Sequence, residues 1–84
     1  MDTKIALIGI IVESPEAAGS VNTLLHEYSS YIVGRMGIPY SKKEVNIISI
    51  VIDAPENVIS ALSGKLGRIH DISVKTMIAK TKNK

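Results

Sequence analysis

The chain has 84 residues, ten basic and eight acidic, a formal net charge of +2, and no cysteine, tryptophan or phenylalanine. That length allows one domain near the small end of what folds unaided, and 45% hydrophobic residues exclude a disordered chain. No disulfide can help it, its core must be aliphatic, and the charge excess is too small to point to a polyanion partner.

The first element is "TKIALIGIIV", residues 3 to 12, apolar at nearly every position and rich in β-branched side chains. Its apolar run, Ile5 to Val12, is broken only by Gly9 and is far short of the ~20 residues that span a bilayer. Glu13, Ser14 and Pro15 follow it in place of a small-residue cleavage site, so the run predicts a strand and not a signal peptide. The cytoplasm is the default location, and no membrane is expected. A strand apolar on both sides predicts burial of both faces.

A helix is predicted from about Pro15 to Ser29. Ser14 suits the N-cap, Pro15 the first helical position, and Glu16 the positive end of the dipole. Ala18, Val21, Leu24, Leu25 and Tyr28 form its apolar stripe. Gly19 costs roughly 1 kcal/mol against alanine there, and close packing on the sheet is the expected reason for it. Tyr31 to Met36 reads as a second strand, and "GIPYSKKE" as a polar connection. A third strand, Val45 to Ile52, is largely apolar on both faces: Ile48, Ile50 and Ile52 on one, Val45, Ile47, Ser49 and Val51 on the other.

Asp53 and Pro55 signal the entry of a second helix. Val58, Ile59, Leu62 and Leu66 are its stripe, and Gly67 its candidate stop. In the last strand, "DISVKTMIA", Ile72, Val74, Thr76 and Ile78 face one way and Ser73, Lys75 and Met77 the other. Four basic residues, Lys75, Lys80, Lys82 and Lys84, lie in the last ten positions. A solvated tail over residues 79 to 84 explains them as well as a binding patch does.

The order βαββαβ, with two halves each reading strand, Pro-started helix, strand, predicts an α+β fold over residues 1 to 84. It is a single ferredoxin-like domain, an antiparallel four-stranded sheet with two helices on one face. Right-handed crossovers place the first and third strands in the middle. These are also the two strands that are apolar on both sides. The face away from the helices would then show several aliphatic side chains, each worth ~1.5–3 kcal/mol when fully buried. Such a patch predicts a homo-oligomer, its sheets packed face to face or extended edge to edge, with Ile47 and Val51 in the contact.

Candidate chemistry is sparse. His26 lies just off the first helical stripe; a boundary histidine is the commoner reading, a metal or anion ligand the sharper one. His70 is the only other histidine, and no His-x-x-x-His pair exists. Arg35, between Gly34 and Met36, suits either a carboxylate or phosphate ligand or a carboxylate across a subunit contact. "SGKLG" lacks the spacing and strand–helix setting of a phosphate loop. No serine stands in a nucleophile elbow, and no carboxylate pair is arranged for acid–base work, so no enzyme is expected. The first strand–helix loop, "ESPEA", is acidic and unlike the arginine-bearing loop of small acyl phosphatases. Copper carriage needs Cys-x-x-Cys, and RNA binding on such a sheet needs exposed aromatics, so neither fits.

The runs Val21-Asn22, Leu25-His26, Gly34-Arg35-Met36-Gly37 and Pro39-Tyr40, with Leu62-Ser63-Gly64-Lys65-Leu66-Gly67, carry a resemblance. With them the sequence resembles the short bacterial proteins named as iron-only hydrogenase system regulators. The likeness covers nearly the whole chain, including "ISVKT" in the last strand, while His70-Asp71 stands where many relatives are expected to carry glycine. The resemblance implies an ACT-like fold, similar also to the metal-sensing C-terminal domain of the nickel-responsive repressor. ACT-like modules bind small effectors at subunit contacts near the first strand–helix loop. The nickel sensor's several histidines and cysteine are not matched here, so nickel sensing does not carry over. Nor is a ribbon–helix–helix segment present, so any control of transcription is expected to need a protein partner, without direct nucleic-acid contact.

The expectation is therefore a non-catalytic, oligomeric, ligand-sensing regulator with no cofactor. A small effector is expected between subunits near Glu13 and Ser14, with His26 and Arg35 as further contacts. The alternatives are a metal sensor using His26 from several subunits and a purely structural assembly partner.

Overall fold

The computed structural model describes residues 2 to 80. Its elements run β1 (Lys4–Val12), α1 (Pro15–Glu27), a 3-10 turn (Ser29–Tyr31), β2 (Ile32–Tyr40), β3 (Val45–Ala54), α2 (Glu56–Gly67) and β4 (Ile72–Ile78). The strands form one antiparallel sheet in the order β2-β3-β1-β4. The two strands apolar on both sides, β1 and β3, are the central pair, and the fold is the ferredoxin-like α+β sandwich of one sheet and one helical layer. No helix among the described residues is long and apolar enough to cross a membrane.

Alternation decides which side chains reach the core. Ala6, Ile8, Ile10 and Val12 of β1 and Ile48, Ile50, Ile52 and Ala54 of β3 are buried under the helices. They meet Ala17, Val21 and Leu25 of α1 and Ile59, Leu62 and Leu66 of α2. Val74 and Ile78 of β4 pack against the margin of that core. Beside them, Ser63 of α2 and Thr76 of β4 share a hydroxyl–hydroxyl bond of 2.7 Å that ties helix to edge strand.

Several local expectations are corrected. The first helix ends at Glu27, and Ser29 belongs to the 3-10 turn. Gly19 does not serve close packing on the sheet: it is exposed, and a Cβ there would meet nothing within 4 Å. Asp53, read as part of the helix entry signal, is a strand residue paired with Ile5 on the face away from the helices, three residues before α2 begins. α2 starts from Pro55 with no side-chain cap. It ends at Gly67 without a left-handed glycine; the positive-φ residues are Glu44 (φ 56) and Asp71 (φ 65). Ala79, assigned to the tail, donates its N–H to the Ile5 carbonyl at 2.9 Å. Thr81, Lys82, Asn83 and Lys84 of that tail lie outside the described residues.

The largest correction concerns β2. The segment read as a polar connection from Gly37 is strand through Tyr40, and the turn occupies residues 41 to 44 alone. Pro39 does not stop it, because β2 is an edge strand and can spare a backbone donor. The register jumps between Ile32 (opposite Ile52) and Gly34 (opposite Val51), leaving Val33 as an extra residue. Such a bulge inverts side-chain parity for the rest of the strand. Arg35, Gly37 and Pro39 consequently face the helical side, and Met36, Ile38 and Tyr40 the opposite one.

Candidate functional site

Among the described residues, no element covers the sheet face away from the helices. From β1 it presents Ile5, Leu7, Gly9 and Ile11; from β3, Val45, Ile47, Ser49, Val51 and Asp53. β2 adds Met36, Ile38 and Tyr40, and β4 adds Met77. Among the described residues, eight of the nine exposed large hydrophobic ones lie here; the ninth is Val33 in the bulge. The register makes them continuous: Ile11 is opposite Ile47, Ile47 opposite Ile38, and Leu7 lies between Val51 and Met77. Each of the eight shows between 37% and 63% of its surface. Together they expose on the order of 600–800 Å² of mostly apolar area, above the few hundred typical of a monomer's largest patch. Near the middle, the missing side chain of Gly9 leaves a notch of about 420 Å³ that reaches Ile11, Ile47 and Lys75.

Two more depressions lie on the helical side. The larger, about 730 Å³, runs between the helices and is lined by Glu16, Gly19, Thr23, Glu27 and Lys65. The Lys65 ammonium sits 5.3 Å from the centre of the Tyr28 ring, a cation–π contact. The smaller, about 290 Å³, lies between the flank of α1 and the helical side of β2, where Ala18, Asn22, Arg35, Gly37 and Ile48 meet.

The four expected effector residues do not gather at one point. Ser14 Oγ accepts the Ala17 N–H at 3.1 Å, so its lone pair caps α1, as its sequence position predicts. Glu13 is exposed, and its backbone N–H is held by the Asp71 carbonyl at 2.9 Å. His26 is exposed at the far end of α1, ~18 Å from Ser14 at the helical rise. It shares the row Ala18–Asn22–His26, which looks toward β2. Arg35 reaches across to that row: its Nη2 donates to Asn22 Oδ1 at 2.9 Å. The geometry thus links Arg35 to the His26 side of α1 and leaves Glu13 and Ser14 apart. Asn22 was missed by sequence reasoning, since a helical asparagine gives no signal until the bulge turns Arg35 toward it. Among the described residues, no group of three or more His, Asp or Glu side chains could hold a metal ion.

The family model "TM1266-like: Iron-only hydrogenase system regulator, putative" matches residues 4–76. The solved structure of the uncharacterized protein TM1266 from Thermotoga maritima superposes with a TM-score of 0.91. It is 36% identical, over 94% of this chain and all of that one. The C-terminal domain of LarC, a cyclometallase involved in making the NPN cofactor of lactate racemase, gives a TM-score of 0.47 at 13% identity. That overlap covers 94% of this chain and 57% of the other. A search of curated proteins found no match.

Proposed function

This chain belongs to the TM1266-like family of iron-only hydrogenase system regulators, and from that premise we propose a non-catalytic regulatory module that works as a homo-oligomer. Its subunits meet through the open face of the sheet, with Ile47 and Val51 near the centre of the contact. The observation that carries this reading is the continuous apolar face that none of the described elements covers. Leaving it in water forfeits the burial energy of eight large side chains, against a total stability of ~5–15 kcal/mol for a small domain. A second copy is a suitable cover, because the same patch occurs on every chain and an isologous contact is self-complementary.

Regulation then means a shift between subunit arrangements. A small effector acts by binding one arrangement more tightly than another. Of the four side chains singled out above, Arg35 is best placed for it, since it is oriented by Asn22 and lines a groove. The regulatory output passes to a protein partner. Sedimentation velocity at micromolar concentration tests the assembly: a lone 9.1 kDa species would refute it. A thermal-shift screen with amino acids and nucleotides tests the sensing, with a rise in midpoint on binding as the expected result.

A further inference from the structure

We propose that the groove between α1 and β2 binds a small organic anion, a carboxylate or a phosphate, through the Arg35 guanidinium. This rests on the sensing half of the proposed function and names the ligand class; it does not depend on how the subunits pack. A guanidinium carries five N–H donors and no acceptor. One of them is spent on Asn22 Oδ1. Because arginine can only donate, Asn22 must turn its oxygen to Arg35, which leaves its NH2 group as a second donor beside the fork. The contact also holds the long Arg35 side chain in place before any ligand arrives, which lowers the ordering cost of binding.

Among the described residues the charge of Arg35 is unmatched: none of their carboxylates lines the groove, and their ion pairs, Lys4–Glu56 and His70–Asp71, do not include it. A carboxylate or phosphate meets such a fork with two parallel hydrogen bonds. There is room for one. Gly37 lies opposite Ile48 on the helical side, and a Cβ on it would meet nothing within 4 Å. The groove, about 290 Å³, lies at the small end of ligand sites, ~300–1,000 Å³, so the anion is a small metabolite. Ala18 and Ile48 offer its carbon skeleton apolar contact. The larger groove between the helices is a poorer candidate, because Glu16 and Glu27 stand there with Lys65, whose ammonium already rests on Tyr28.

The test uses the full chain labelled with nitrogen-15. It is titrated with succinate, pyruvate and inorganic phosphate in turn, with sodium chloride at matched ionic strength as control. The reporters are Arg35 Nε–H, the Asn22 side-chain amide and the Gly37 backbone amide. The expected result is a saturable shift of these signals absent with chloride; the responding arm distinguishes carboxylate from phosphate. Arg35→Gln should weaken binding on the order of ten- to a hundredfold, the loss of a charged hydrogen bond. Gly37→Val should block the groove while leaving the thermal midpoint in place. Asn22→Asp should also abolish binding, by supplying the anion from within the chain. Absence of a saturable shift with all three anions, or shifts of the Asn22 and residue 37 signals in Arg35→Gln and Gly37→Val that saturate as in the wild type, would overturn the proposal. Sedimentation of the same samples keeps the outcomes separate: an oligomer that ignores anions sinks the groove and spares the assembly.

Discussion

Replacing Ile47 by lysine perturbs assembly while sparing the fold. Ile47 sits between Ile11 and Ile38 on the open face and is 37% exposed, so its outer part leaves water only when something covers the sheet. That share is roughly 70 Å², worth about 1.7 kcal/mol per copy at 25 cal/mol per Å². An isologous contact contains the residue twice, which makes about 3.5 kcal/mol, or more than a hundredfold in the dissociation constant. The introduced ammonium adds to this, since an unpaired charge in a closed interface costs ~3–5 kcal/mol. In the isolated subunit the lysine extends into solvent from a half-covered strand position, and the change in domain stability should stay below ~1 kcal/mol. Sedimentation velocity at micromolar concentration should therefore show wild type as an oligomer and Ile47→Lys as a 9.1 kDa species with unchanged far-ultraviolet circular dichroism. Identical sedimentation of the two proteins would refute the reasoning. So would an unfolded variant, because it would mean that Ile47 belongs to the core.

Other changes probe the fold itself. Ile50→Ala, at a fully buried core site opposite Ile8 of β1, should cost ~2–5 kcal/mol, read from urea unfolding. Ser14→Ala removes the cap of α1 and should cost ~1 kcal/mol, a fall of ~4–8 °C in the melting midpoint. Glu44→Gly should raise stability by up to ~1 kcal/mol, because Glu44 holds a left-handed backbone at φ 56 in the β2–β3 turn. Val51→Asp, opposite Leu7 on the open face, should dissociate the oligomer in sedimentation as Ile47→Lys does.

The order of elements, the central place of β1 and β3, and their two apolar faces were all legible in the sequence. Each is written in short-range patterns: β-branched runs, Pro-started helices, the first with a capping serine, and the period-2 alternation of Ile48, Ile50 and Ile52 against Ile47 and Val51. Periodicity reports which residues share a face, and a strand apolar on both faces asks for cover on both. The tertiary structure alone decided the fate of β2. Pro39 reads as a break, yet at a sheet edge it costs no ladder bond, so the strand runs to Tyr40. The extra residue at Val33 then turns Met36, Ile38 and Tyr40 to the open face and Arg35 to Asn22. A bulge has no period and no composition, and exists only as a register between two strands distant in sequence. For that reason the groove and the full width of the apolar face became visible only once β2 was paired with β3.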